Sequence, residues 1–139
     1  MNLGRGKTRK MTVIPVKEVG DIIKVRAAVK DIAESLGFGI VDRTRICTAV
    51  SELARNIYLF AKEGEVRVEE IGSERKGIRI TFVDEGPGIE DIEKALSDGW
   101  SSTDGMGKGL PGAKRLVDKM EIESEPGRGT TVIIEKYLT

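Results

Sequence analysis

Two helical stripes stand back to back in this chain, with alternating segments after them, and that order constrains the fold more than any other feature. Between Asp21 and Leu36, the residues Ile22, Val25, Val29, Ile32 and Leu36 recur at intervals of three and four. Such spacing puts them on one face of a helix. Gly37 and Gly39 follow and end it. A second stripe, Ile46, Val50, Leu53, Ile57 and Phe60, predicts a helix from Asp42 to Ala61 capped by Asp42 or Thr44. Each helix has a single apolar face, so each needs a partner layer. Strand-like segments offer one. Met11–Val16 carries a proline suited to an edge, and Glu65–Ile71 and Gly77–Asp84 alternate around the turn Gly72–Lys76. Glu121–Glu125 and Thr130–Tyr137 flank a Pro-Gly turn, while Ile89–Leu96 and Leu110–Met120 read as further helices.

No repeat or linker interrupts this pattern. The expectation is one α/β (α+β) domain over residues 11–139, a two-layer sandwich with a mixed, largely antiparallel sheet and helices packed on one face. Met1–Lys10, which holds Arg5, Lys7, Arg9 and Lys10 and no acid, reads as a flexible basic arm.

Composition narrows the chemistry. The 139 residues contain no histidine, which removes His-based acid–base catalysis, Ser-His-Asp and Cys-His pairs, and His metal sites. The lone Cys47 excludes an internal disulfide or a CxxC pair. Lys+Arg and Asp+Glu balance at 23 each, so no excess of positive charge points to nucleic acid. No apolar run approaches the roughly 20 residues of a membrane span, and Met1–Lys10 lacks the apolar stretch of a signal peptide. A cytoplasmic protein without a nucleic-acid or membrane partner is the expectation.

Three local features could carry function. Glu52 and Asn56 lie one turn apart on the second helix, at the rim of its apolar stripe at about 100° per residue. A carboxylate and a carboxamide so placed can hold a hard cation and its water, although a surface pair would look the same. Asp84-Glu-Gly-Pro-Gly-Ile89 follows an apolar strand. An inward carboxylate there needs a donor such as an exocyclic amine, and the glycines leave room for a flat ring; an ordinary turn is the plainer alternative. Gly105-Met-Gly-Lys-Gly-Leu-Pro-Gly112 contains GxGxxG, but a polar loop precedes it where a dinucleotide fold has a strand. It also departs from the Walker A pattern, since Ser102 replaces the first glycine and Gly109 follows Lys108. A glycine-rich loop entering a helix beside a lysine remains, which suits an anion.

Taken in order, Glu52-x3-Asn56, Asp84-x-Gly86-x-Gly88, Gly105-x-Gly107-x-Gly109 and Gly129-Thr130 closely resemble the motifs of the ATP-binding (Bergerat) fold. DNA gyrase, Hsp90, sensor histidine kinases and MutL share that fold. Within it the chain looks most like the small anti-sigma-factor serine/threonine kinases of partner-switching signalling, through Gly109–Ala113 and the compact loop Asp98–Thr103. A sensor histidine kinase would carry a phosphoacceptor histidine, and none is present.

The resemblance implies Mg²⁺ and ATP as cofactors. Asn56 would coordinate Mg²⁺, and Glu52 would act as general base or orienting group for a serine hydroxyl. Asp84 would accept from the adenine amino group with Thr130 assisting, and Gly86 and Gly88 would pass under the purine. Gly105, Gly107, Lys108 and Gly109 would line the triphosphate, with Ile89, Met106 and Leu110 completing the nucleotide site. Arg26 falls where related kinases keep an arginine near the active site. The lid between Asp98 and Gly105 is short and lacks the arginine some relatives carry, which implies modest nucleotide affinity. Trp100 on that lid is either a packing residue or a partner anchor. The partners implied are a STAS-domain antagonist as phosphorylation substrate and a PP2C-type phosphatase activated afterwards. The competing expectations are a nucleotide-dependent binding module and an anti-sigma factor that sequesters its partner.

Overall fold

The computed structural model describes residues 11–72, 74–89, 91, 96 and 109–139. The basic arm, most of the expected Ile89–Leu96 helix, and the lid with Trp100, Gly105, Met106, Gly107 and Lys108 lie outside them. The described elements run β1 (Met11–Val16), α1 (Gly20–Leu36), α2 (Ile40–Asn56), a π-helical turn (Ile57–Ala61), β2 (Gly64–Ile71), β3 (Gly77–Asp84), α3 (Leu110–Leu116), β4 (Lys119–Glu125) and β5 (Gly129–Tyr137).

Five strands form one sheet in the order β1-β2-β3-β5-β4. All four pairings are antiparallel, so the sheet is wholly rather than largely so among the described strands. Pro15 sits on the edge strand β1, where its missing N–H costs no ladder bond inside the sheet. The α1–α2 hairpin covers one face. Val25 and Val29 of α1 and Ile46, Val50 and Leu53 of α2 meet Val66, Val68, Ile78, Ile80, Phe82 and Ile134 of the sheet in one buried cluster. Burying each such side chain contributes about 1.5–3 kcal/mol. The other face is a charged ladder in which Arg79 bridges Glu135 (2.8 Å) and Glu69 (3.3 Å) and Arg75 stacks over Tyr137.

The helix ends follow expectation at Gly37 and depart from it at both ends of α2 and at the end of α3. Gly37 closes α1 at φ +103°, with Gly37 N–H donating to Glu34 O and Phe38 N–H to Ala33 O. That is a Schellman closure, with buried Phe38 just beyond it. Neither Asp42 nor Thr44 caps α2. Gly39 occupies the cap with no side-chain bond, Thr44 donates back to Ile40 O at 2.8 Å, and Asp42 pairs with Arg45 and Lys136. The regular α-helix stops at Asn56, because the chain widens into a π turn over the last five residues. Helix α3 ends at Leu116, earlier than Met120. Val117 is extended, Asp118 N–H donates to Glu135 O, and the Asp118 carboxylate accepts from Tyr137 N–H at 2.7 Å. Pairing with β5 thereby overrides the helical periodicity of this segment.

Candidate functional site

Four chain segments converge beside the inner end of β3: the last turn of α2 with the π turn, the loop Asp84–Ile89, the start of α3, and the start of β5. They enclose a cleft with apolar walls from Leu53, Ile57, Phe82, Leu110 and Val132. Asn56, Asp84 and Thr130 add its polar groups. A few polar groups in an apolar slot suit a flat ligand with a small number of directional contacts.

The geometry of the loop follows from its glycines. Gly88 has φ +81°, and a Cβ there would come within 2.2 Å of Glu125 O. A Cβ on Gly86 would stand 2.6 Å from Ala61 Cβ. The loop is thus held between the π turn on one side and the β4–β5 turn on the other, and Gly127 N–H donates to Pro87 O at 2.7 Å to tie it there. Phe60 and Ala61 of the π turn both line the cleft.

Asp84 and Thr130 are direct partners in the β3–β5 register, so their side chains share the inward face. Burial pushes the Asp84 carboxyl above its ordinary value. The backbone N–H groups of Gly86 (2.9 Å to Oδ1) and Thr130 oppose that shift by favouring the carboxylate. Ser124 joins this end of the cleft, with Ile89 N–H donating to its Oγ at 2.8 Å. The same Oγ donates to Gly129 O at 3.0 Å and meets Thr130 Oγ1 at 2.8 Å. Ser124 is absent from the sequence-derived site. Its signal was available, since Met120, Ile122 and Ser124 alternate on the inward side of β4 and only the last is polar.

Of the expected site residues, Asn56, Asp84, Gly88, Ile89, Leu110 and Thr130 line the cleft together. Gly86 packs beneath it against Ala61. Glu52 lies one turn back on α2, half-buried, with Oε1 accepting from Arg55 Nη1 at 3.0 Å. Its Oε2 is the nearest group to the Cβ position of Gly109, at 2.9 Å. Arg26 is exposed on α1 and does not line the cleft. Its guanidinium neighbours the buried Cys47 thiol, whose pKa burial raises in spite of that cation. No group of three or more His, Cys, Asp or Glu able to hold a metal occurs among the described residues. A cation here would rest on few protein oxygens and complete its shell from ligand phosphates and water, as Mg²⁺ does.

An antiparallel sheet backed by helices, with an apolar slot holding a few polar groups at one end of its central strands, is the architecture of the ATPase domains of histidine kinases. Residues 41–139 match the profile of the histidine kinase-, DNA gyrase B- and HSP90-like ATPases, and the chain belongs to that family. ATP binding follows from that membership. The chain is 47% identical over 119 residues to the serine/threonine-protein kinase RsbT of Bacillus subtilis (strain 168), covering 85% of this chain and 90% of that one. It is 35% identical over 118 residues to an anti-sigma F factor of Thermoanaerobacter sp. (strain X514), covering 81% and 82%. Among solved structures, the RsbU and RsbW domains of a Mycobacterium tuberculosis protein share the fold, with TM-score 0.65 and 18% identity over 94% of this chain and 32% of that one.

Proposed function

We propose that this chain is a Mg²⁺- and ATP-dependent serine/threonine kinase of a partner-switching module. The observation that carries the reading is the pairing of two features on neighbouring elements. A polar Asp84–Thr130 end closes an apolar slot that Asn56 also lines, and Glu52 stands one helical turn before Asn56, against Gly109. The kinase name of the Bacillus subtilis relative supports the reaction type.

In this reading the adenine lies in the slot with its amino group donating to Asp84. By the resemblance, Gly105, Gly107, Lys108 and Gly109 would line the triphosphate, with Met106 completing the nucleotide site. Asn56 would hold Mg²⁺, which when bound would supply charge neutralisation on the phosphates. Glu52 orients the acceptor hydroxyl and takes its proton, the serine oxygen bonds to the γ-phosphorus, and the bond from that phosphorus to the β–γ bridging oxygen breaks to release ADP. Phosphoryl transfer asks mainly for positioning and electrostatics, so one carboxylate, one cation site and a lysine suffice without histidine. Arg26, outside the cleft wall, is assigned to contact with the protein substrate.

The acceptor in this proposal is a serine or threonine of a STAS-domain antagonist, and the released kinase binds and activates a PP2C-type phosphatase. The module works in the cytoplasm; no described helix is long and apolar enough to cross a membrane. The test is transfer of label from γ-labelled ATP to a purified STAS-domain antagonist. Labelled phosphoserine or phosphothreonine is expected with the wild type, and none with Glu52→Gln at undiminished ATP binding. Equal labelling by Glu52→Gln would remove the base role. The anti-sigma F relative supports a second reading, nucleotide-dependent sequestration of a sigma factor. Nucleotide-dependent capture of a sigma factor without labelling of any antagonist would favour it.

A further inference from the structure

The three hydrogen bonds at Ser124, behind the cleft, form together in one proton arrangement only. Ser124 Oγ has one proton to give and two lone pairs to receive with. Three groups surround it: Ile89 N–H at 2.8 Å, Gly129 O at 3.0 Å and Thr130 Oγ1 at 2.8 Å. A backbone N–H can only donate and a carbonyl can only accept. The Ile89 contact therefore occupies one lone pair, and the Gly129 contact takes the Ser124 proton. Only a lone pair remains for Thr130, so the Thr130 hydroxyl is the donor in that last bond.

The consequence appears on the ligand side. With its proton turned back to Ser124, Thr130 presents only lone pairs to the cleft it lines. Its register partner Asp84 accepts from the Gly86 N–H at 2.9 Å, a bond that favours the acceptor-only carboxylate against the burial that opposes it. We infer that Ser124 is a specificity-determining positioning residue, one that makes this end of the nucleotide cleft acceptor-only and so selects a 6-amino purine over a 6-oxo purine. This deepens the assignment of the cleft's polar end to adenine and rests on it. An exocyclic amine brings two N–H donors to these two acceptors, whereas a 6-oxo purine brings one ring N–H and turns its exocyclic oxygen toward lone pairs, a mismatch that buried polar sites penalise heavily.

The test compares ATP with ITP, which differs only in carrying the oxo group and a ring N–H, by calorimetry on the full chain. Wild type is expected to prefer ATP by at least about tenfold. Ser124→Ala frees the Thr130 hydroxyl to turn and donate, so the ATP-to-ITP ratio should fall about fivefold or more, chiefly through tighter ITP binding. Ser124→Thr keeps the hydroxyl and should keep the ratio. In a Thr130→Val background, Ser124→Ala should leave the ratio unchanged. Equal weakening of both nucleotides by Ser124→Ala would mark a purely structural role and overturn the inference, as would a ratio change that survives Thr130→Val. Asp84→Asn separates the two levels of the argument. If it weakens ATP while Ser124→Ala leaves the ratio intact, the adenine assignment stands and the Ser124 role falls; if ATP affinity ignores Asp84→Asn, both fall.

Discussion

Glu52 and Gly109 meet across the gap between the end of α2 and the start of α3, with Glu52 Oε2 2.9 Å from where a Gly109 Cβ would stand. Gly109 also has φ +87°, so the position rejects a side chain for two reasons. Gly109→Ala is expected to displace the Glu52 carboxylate and to lower phosphoryl transfer at least tenfold. Stability should fall by about 1–2 kcal/mol from backbone strain. Single-turnover labelling together with a denaturation midpoint checks both; unimpaired transfer would show that Glu52 need not hold this position.

Glu52→Gln should separate binding from chemistry. Glu52 lies outside the apolar slot, so ATP affinity should change less than about threefold, whereas losing a positioned base lowers the rate by about 10²–10⁴. The Arg55 partner is half-exposed, so Arg55→Ala should cost no more than about 1 kcal/mol of stability. Calorimetry beside the labelling assay distinguishes the two substitutions.

Asp84 links nucleotide binding to pH. Burial raises its pKa in the folded chain, so the folded state takes up this proton more readily than the unfolded one. The buried carboxylate therefore destabilises the ligand-free protein above its folded pKa, and that penalty is relieved as pH falls through it. ATP affinity moves the opposite way, because protonation removes an acceptor. It should decline on acidification at a pH above the value of about 4 typical of aspartate. Asp84→Asn should raise the ligand-free Tm at pH 7, weaken ATP at least tenfold, and flatten this pH dependence. A Tm drop with unaltered ATP affinity would contradict both parts.

Gly127 and Gly129 share a positive φ, +81° and +97°, but not their surroundings. A Cβ on Gly127 would meet nothing within 4 Å, whereas one on Gly129 would lie 2.1 Å from Asp84 O. Gly127→Ala should cost about 1 kcal/mol, the strain alone. Gly129→Ala should cost over about 3 kcal/mol and disturb the Asp84–Thr130 register, lowering ATP affinity as well. Urea midpoints of the two variants side by side test the distinction.

Leu53 belongs at once to the core and to the wall of the cleft. Leu53→Ala should destabilise by about 2–5 kcal/mol. Saturating ATP should restore part of the lost Tm, since a ligand bound only to the folded state stabilises it by mass action. Absence of any ATP-dependent shift, with the variant still folded, would place the nucleotide elsewhere.

Much of this protein could be read from the chain because the relevant signals are local. The stripes Ile22–Leu36 and Ile46–Leu53 and the alternation of Gly77–Asp84 reflect hydrogen-bond periods within single elements, and α1, α2 and β3 follow them. The ordered polar and glycine motifs named Asn56, Asp84, Gly88 and Thr130, and the family resemblance added Ile89 and Leu110; the fold gathers all six into one cleft. What remained depended on groups far apart in sequence. Asp118 leaves the helical pattern because Glu135 and Tyr137 bond it, and Ser124 acquires a role only through Ile89 and Thr130 on other elements. The insertion of β5 between β3 and β4, which sets Thr130 opposite Asp84, is likewise invisible to any local pattern. Periodicity records which face of an element is apolar, but only the packed sheet decides which polar atoms on those faces lie within 3 Å of one another and where each proton goes.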